Sequence, residues 1–333
     1  MPTPPLKIIV TPEAVGFRLD RFVSSHSPEL SRTRVQELIE AGLVLLNGKP
    51  AKDSHKVRAD DVIEVTPTPR PAMKAEPEQI PLDILYEDDD LIAVNKVAGM
   101  TVHAGAGNSR GTLVNALLGR GQALSQGGDP LRPGIVHRID KETSGILLVA
   151  KNDFAHAKLA DSFRDRTVQK TYLALLQGTL AEEQGRIELP IARDPVRRNR
   201  MTARRAASLP NARAARTDWR VLARIDSTTL VEVQLHTGRT HQIRVHFSAL
   251  RHPIVGDTLY GASAQLQVGN SSLPALGRNF LHAAKLGFRQ PRIGHSIQLV
   301  APLPPELRAF LQQLVAAAGE SPALIDVALK GFL

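Results

Sequence analysis

The residue in this 333-residue chain best placed to do chemistry is Asp140, in the run His137-Arg138-Ile139-Asp140-Lys141-Glu142. A carboxylate between cations can act as a nucleophile or a proton acceptor. It can equally be half of a solvated ion pair, and spacing alone leaves both readings open. Short apolar runs flank it, Ile135–Val136 before and Ile146–Val149 after. The second run, four apolar residues ahead of Ala150, reads as a buried strand, and Thr143-Ser144-Gly145 supplies turn chemistry before it. Buried strands thus hold a short polar loop, an arrangement that commonly carries chemistry. His236, His241 and His246 recur five apart, a spacing that fits neither a helical ligand pair nor one face of a strand. The chain has no cysteine, so disulfides and thiolate ligands are excluded and a reducing compartment fits. No metal is expected.

The elements that must position these residues follow from periodicity. Phe17 to Phe22 opens a short amphipathic helix. Ser31 offers a cap to a second one carrying Val35, Leu38 and Ile39, which Gly42 closes. Leu43–Leu46 then form a strand turned by Asn47-Gly48, a strong hairpin signal, and Val57 to Val65 complete a small sheet. Basic residues, Arg18, Arg21, Arg32 and Arg34 among them, fall on its polar surfaces. Residues 66–81 hold five prolines in sixteen positions, an extended linker. Beyond it, Leu91–Val94 reads as a strand after the acidic turn Glu87–Asp90. Gly105, Gly107 and Gly111 miss the dinucleotide-binding spacing by one residue, so that reading is rejected. Asn152 can cap a helix reaching Arg164. Val168 to Leu176 is a strand with Lys170, Tyr172 and Ala174 on one face. Trp219–Val221 and Val231–Leu235 alternate as strands. Thr240 can cap a helix with Ile243, Phe247 and Leu250 on one face and Arg244 at its edge. Pro304-Pro305 precede an amphipathic helix through Leu307, Phe310, Leu311, Leu314 and Val315, ending at Gly319.

The net charge is +9, and residues 193–224 hold ten arginines, two aspartates and no lysine. Such clustering favours a polyanionic partner, because the planar guanidinium can donate two parallel bonds to phosphate. Met201–Asn211, with little apolar periodicity, reads as a protruding loop that tracks phosphates or as a charged insertion. No apolar stretch reaches membrane-spanning length, and Met1–Pro5 lacks the apolar core of a leader. A cytoplasmic protein without a membrane partner is expected.

Several motifs then carry a resemblance. His137–Gly145 resembles the HRLDxxTSG motif of the RluA-type pseudouridine synthases. Lys170-Thr171-Tyr172-Leu173-Ala174 resembles their KxYxA motif, and Gly238–His246 their GR(S/T)HQ(I/L)RVH motif. Ser31–Val44 with Asn47-Gly48 resembles an S4 domain, an RNA-binding module. His103–Asn108 points to the RluD subgroup, with Val97 departing from the usual proline. The resemblance implies an α+β fold: a small N-terminal S4 (helix–loop–strand) domain and a catalytic domain on a mixed, mostly antiparallel sheet with flanking helices. The expected boundaries are 1–66 for the S4-like domain, 67–81 for the linker, 82–319 for the catalytic domain and 320–333 for a tail. It implies isomerisation of uridine to pseudouridine without cofactor or metal. Asp140 would be the catalytic carboxylate, Arg244 its partner and Tyr172 the ring against the uracil. Arg138 would fill the gap left by a flipped base. His137, Arg239 and His241 would contact RNA, as would Arg197, Arg198, Arg204 and Arg205 from the loop and Arg32 and Arg34 from the S4 domain. The implied partner is large-subunit ribosomal RNA or a pre-ribosomal particle, met by a monomer. The rivals are an inactive S4-type ribosome-assembly protein, a synthase for other ribosomal or transfer RNA sites, and a metal-using nucleotide hydrolase.

Overall fold

The computed structural model describes residues 5–27, 30, 32–66, 76–104, 110–126, 132–197, 199–204 and 211–332, the side chains of residues 32–34 excepted. Contacts divide the chain into two compact units, residues 1–73 and 74–333. The first holds β1 (Leu6–Ile9), α1 (Leu19–His26), α2 (Arg32–Glu40), β2 (Val44–Leu46), β3 (Lys49–Pro50) and β4 (Val62–Val65). Asn47 and Gly48 both have positive φ, 50° and 76°, as the tight turn between β2 and β3 requires. The sheet order β1-β4-β2-β3 includes an N-terminal strand that residue pattern alone did not announce. Leu19, Phe22, Leu38 and Ile63 are fully buried between helices and sheet. Arg18, expected on the basic surface, is tied to Asp20 and Asp53, so its charge is compensated. The cap expected at Ser31 lies outside the described residues.

The second unit is built on a sheet of nine strands among the described residues. They are β5 (Asp83–Glu87), β6 (Leu91–Lys96), β7 (Ser144–Ala150), β8 (Gln169–Gln177), β9 (Gln184–Ile187), β12 (Thr217–Ile225), β13 (Thr228–Leu235), β16 (Leu281–Arg289) and β17 (Ser296–Val300). Two short hairpins, β10 (Ile191–Arg193) with β11 (Met201–Ala203) and β14 (Gln267–Val268) with β15 (Ser271–Ser272), stand apart from this sheet. The order is β5-β6-β7-β16-β8-β13-β12-β9 with β17 on β16, and among these described strands only β7 and β16 run parallel. Helices α3 (Leu113–Gly119), α4 (Asp153–Arg164), α5 (Gln242–Ala249), α6 (Pro305–Ala317) and α7 (Ala323–Leu329) accompany it. This is the mixed, mostly antiparallel α+β architecture that the resemblance implied.

Strand β7 is buried along its whole length because both faces are covered. Leu147 and Val149 join one core with Ile92, Val94 and the α6–α7 side chains, while Ile146 and Leu148 pack with Ala155 and Leu159 of α4. An uninterrupted apolar run is what a strand covered on both sides needs. Asn152 caps α4 as expected, its side chain accepting from Ala155 N.

Three segments differ from their sequence reading. Residues 67–75 lie outside the described residues, but residues 76–81, read as linker, run along α3: Glu78 N donates to Asn115 O and Asn115 Nδ2 to Glu76 O. Residues 320–333, set apart as a tail, contain α7, whose Ile325 and Leu329 enter the main core. Met201–Ala203 is a strand instead of loop, because Ala203 packs with Ile191, Ala215, Val245 and Tyr260. No helix among the described residues is long and apolar enough to cross a membrane.

Candidate active site

The loop that carries Asp140 is fixed at both ends. Upstream, Ile135 bridges to Val149, and His137 Nε2 accepts the Leu148 N–H at 2.8 Å while its ring stacks on Phe163, centroids 4.3 Å apart. Burial, with Lys170 nearby, pushes His137 down to about 3. It is therefore a neutral pin for the loop. Downstream, Thr143 N closes a turn onto Asp140 O. Buried Lys96 then donates to three carbonyls, Val97 O and Met100 O at 2.9 Å and Lys141 O at 3.0 Å. The Lys141–Glu142 peptide, one residue beyond Asp140, is thus held by the Lys96 side chain. Burial and the Arg278 charge, opposed by Glu142 and Asp140, bring Lys96 down to about 7.

Helix α5 supplies the partner. Thr240 does not cap it: the cap is His241, in left-handed conformation at φ 55°, and Thr240 Oγ1 accepts from Arg138 Nη2 at 3.2 Å. Leu250 lies beyond the helix and is exposed. Arg244 is buried instead of lying at the edge. It clamps Asp257 through Nε (2.6 Å) and Nη2 (2.9 Å) and reaches Asp140 Oδ2 through Nη1 at 3.2 Å. Burial alone would lower the guanidinium's pKa, but the bonds to Asp257 and Asp140 carry it above its usual range. One cation is thus shared by two carboxylates, so Asp140 is oriented without being fully neutralised. Asp257 lies within the family-like stretch that continues from the third motif to Tyr260-Gly261, and the sequence reading gave it no role.

Tyr172, on β8, lines the same cavity of about 600 Å³ as Asp140, Arg138, Arg239, His241 and Arg244. That volume is in the range, about 300–1,000 Å³, of small-ligand sites. Burial, and then the Asp140 charge, raises the phenol above its ordinary value. A second cavity of about 330 Å³ meets Asp140 from the side of Thr101–His103. Among the described residues Asp140 is the sole carboxylate lining the larger cavity, against cations that the sequence analysis did not assign to the site: Arg166, Lys170 and Arg213. Burial, then Arg213 and Arg166, lowers Arg239, and burial, then Arg166, lowers Lys170. These cations face one another with no second acid in the described cavity wall. A phosphodiester would relieve that repulsion. Arg166 and Arg213 stood outside the matched motifs, and only the fold brings them here.

Of the loop arginines, Arg197 and Arg204 are exposed and do not line the cavity. Arg198 and Arg205 lie outside the described residues, as do the side chains of Arg32 and Arg34. No group of three or more His, Asp or Glu side chains among the described residues is placed to hold a metal.

The comparisons with known proteins agree with this geometry. Residues 90–249 match the RNA pseudouridylate synthase family and residues 17–63 match the S4 domain. The chain is 47% identical to an uncharacterized RNA pseudouridine synthase of Chloroflexus aurantiacus, over 92% of this chain and 93% of that one. It is 41% identical to the ribosomal large subunit pseudouridine synthase D of Zymomonas mobilis, over 95% and 98%. Among solved structures, human RNA pseudouridylate synthase domain containing 1 aligns with a TM-score of 0.55 at 30% identity, covering 74% of this chain and 97% of that one. With motifs, sheet and relatives in agreement, this chain belongs to the RNA pseudouridylate synthases, isomerases that act on RNA, is related to the RluA- and RluD-type enzymes, and carries an RNA-binding S4 domain ahead of its catalytic domain.

Proposed function

We propose that this enzyme converts specific uridines of large-subunit ribosomal RNA to pseudouridine in the cytoplasm, as a monomer, with Asp140 as the reacting carboxylate. The observation that carries the proposal is the lone carboxylate among the described lining residues, held by Arg244 through one oxygen, in a cavity shared with Tyr172 and bordered by cations. A base stacked inside an RNA helix is out of reach, so the target is extruded into this cavity. Arg138, exposed beside it, takes the vacated place, where a guanidinium can stack and pair. The C1′–N1 bond breaks, the uracil turns and C5 bonds to C1′; the C5 proton is then lost to water and N1 takes up a proton, with Asp140 serving the sugar or the base as nucleophile or stabiliser. Tyr172, its proton held more tightly than in water, forms an aromatic wall for the uracil. Support for ribosomal RNA comes from the names of relatives such as that of Zymomonas mobilis.

Tritium release from C5-labelled uridine in ribosomal RNA transcripts tests the assignment. Asp140→Asn lowers release on the order of 10⁴-fold while RNA binding persists. Near-normal release by this variant would refute it. Mapping pseudouridines in ribosomal RNA from cells lacking the protein identifies the target.

A further inference from the structure

His241 was expected only to touch RNA, and its surroundings assign it a more specific task. Its Nδ1 lies 2.9 Å from Tyr260 Oη, with the two rings edge-on at 88°. Tyr260 Oη already accepts the Met201 N–H at 2.8 Å. The phenol hydrogen is then left to donate, and His241 Nδ1 is the acceptor within reach. With Nδ1 accepting, the neutral ring carries its hydrogen on Nε2. Burial pushes Tyr260 up to about 12, opposed by the Met201 N–H and the Arg244 charge, so the donor persists across the working pH range.

Nε2 faces Asp140 Oδ1 at 3.9 Å. That is beyond hydrogen-bond reach yet close enough to orient a carboxylate. The other oxygen, Oδ2, is held by Arg244 at 3.2 Å. The two oxygens therefore differ: one is engaged, and one is open and faces an N–H dipole.

We propose that His241 is a positioning residue for the reacting carboxylate, fixed by Tyr260 as the Nε2–H tautomer so that Asp140 Oδ1 stays aimed at the uridine while Arg244 holds Oδ2. The proposal rests on Asp140 being the reacting group. It also specifies a failure mode. An imidazolium at this place would draw Oδ1 into an ion pair and withdraw it from the substrate. The groups facing the ring are Asp140 and Asp257, which favour the imidazolium, and Arg244 and Arg138, which oppose it. Burial outweighs them and lowers the pKa below the ordinary histidine value. The neutral ring is therefore favoured near neutrality and the imidazolium forms as the pH falls, so activity has an acid limb set partly by His241.

The first test is the ring's ¹⁵N spectrum in the unreacted enzyme, the His241 signals being those missing from His241→Asn. Protonated Nε2 and accepting Nδ1 are expected; a protonated Nδ1 at neutral pH would overturn the proposal. The second test uses turnover. Tyr260→Phe keeps the ring against Arg244 but removes the donor that favours the neutral imidazole. Its kcat falls about fivefold, the worth of one hydrogen bond, and its acid limb moves to higher pH. His241→Asn suits the left-handed backbone position but is too short to reach Asp140. Its kcat falls about 100-fold, as for a misplaced reacting group, with KM little changed, and the His241 contribution to the acid limb disappears. An acid limb identical to wild type in both variants would refute the assignment. The tautomer is read without turnover, so it tests this idea independently of whether a given RNA is the right substrate.

Discussion

Lys96 shows how a buried residue can govern the loop that carries the proposed reacting carboxylate. Its three donors all go to carbonyls, one of them on Lys141. An ammonium has a hydrogen for each, whereas the neutral amine has two. Because its pKa is lowered from 10.5 to about 7, the charged form prevails below that value and is lost as the pH rises through it. Turnover is expected to decline on the alkaline side of about pH 7 as the loop loosens, and Lys96→Met removes that limb while lowering kcat at every pH. An alkaline limb unchanged in Lys96→Met would exclude this control; the pH dependence of tritium release measures it. With the His241 contribution in acid, the profile is bell-shaped. At this scale the family resemblance, and not residue type alone, singled out Tyr172 and Arg244 beside Asp140. Asp257 and Lys96 did not announce themselves: each draws its meaning from partners distant in sequence, 13 residues away for Arg244–Asp257 and 45 for Lys96–Lys141.

Among the elements, β7 matters most, because the loop ends where it begins. Gly145 has φ 114°, and a Cβ there would lie 2.2 Å from Ala283 O of the parallel neighbour β16. Gly145→Ala must therefore part β7 from β16 or strain the backbone, at a cost of about 3 kcal/mol. A denaturant midpoint lowered accordingly, with tritium release reduced beyond the loss of folded protein, is the expected result; an unchanged midpoint would show that the two strands can separate freely. Beside it, Ser144 Oγ lies 2.9 Å from both His282 Nδ1 and Arg278 Nη2, so the first residue of the strand is pinned from across the sheet. The apolar run, the α4 cap and the Asn-Gly hairpin were legible because local residue types decide them. The α5 cap was misplaced because Thr240 is diverted to Arg138, a partner 102 residues away. The helix α7 was missed because seven residues gain their helical stability from the core they enter and not from their own pattern.

At the scale of the molecule, the net charge of +9 divides into cations at the cavity and cations elsewhere. Arg166 and Arg213 border the cavity, whereas Arg197 and Arg204 stand exposed away from its lining. Arg166→Gln with Arg213→Gln should flatten the dependence of log K on log salt by about 0.7 for each phosphate left without its cation on single-stranded RNA and raise KM. If Arg197→Gln with Arg204→Gln instead carries the whole change, the phosphates run over the hairpin and not through the cavity. Composition revealed that the partner is anionic; which arginines meet it depends on the fold. Assembly order follows from the parallel pairing of β7 with β16, since the Ser144–His282 hydrogen bond joins positions 138 apart in the chain. Pairings of such separation form late, after the intervening polymer has been gathered in. A growing polypeptide that has passed Asp140 but not yet made β16 carries that carboxylate on an unbraced segment. Catalytic competence is thereby reserved for nearly finished molecules, and early-terminated products are expected to be inert.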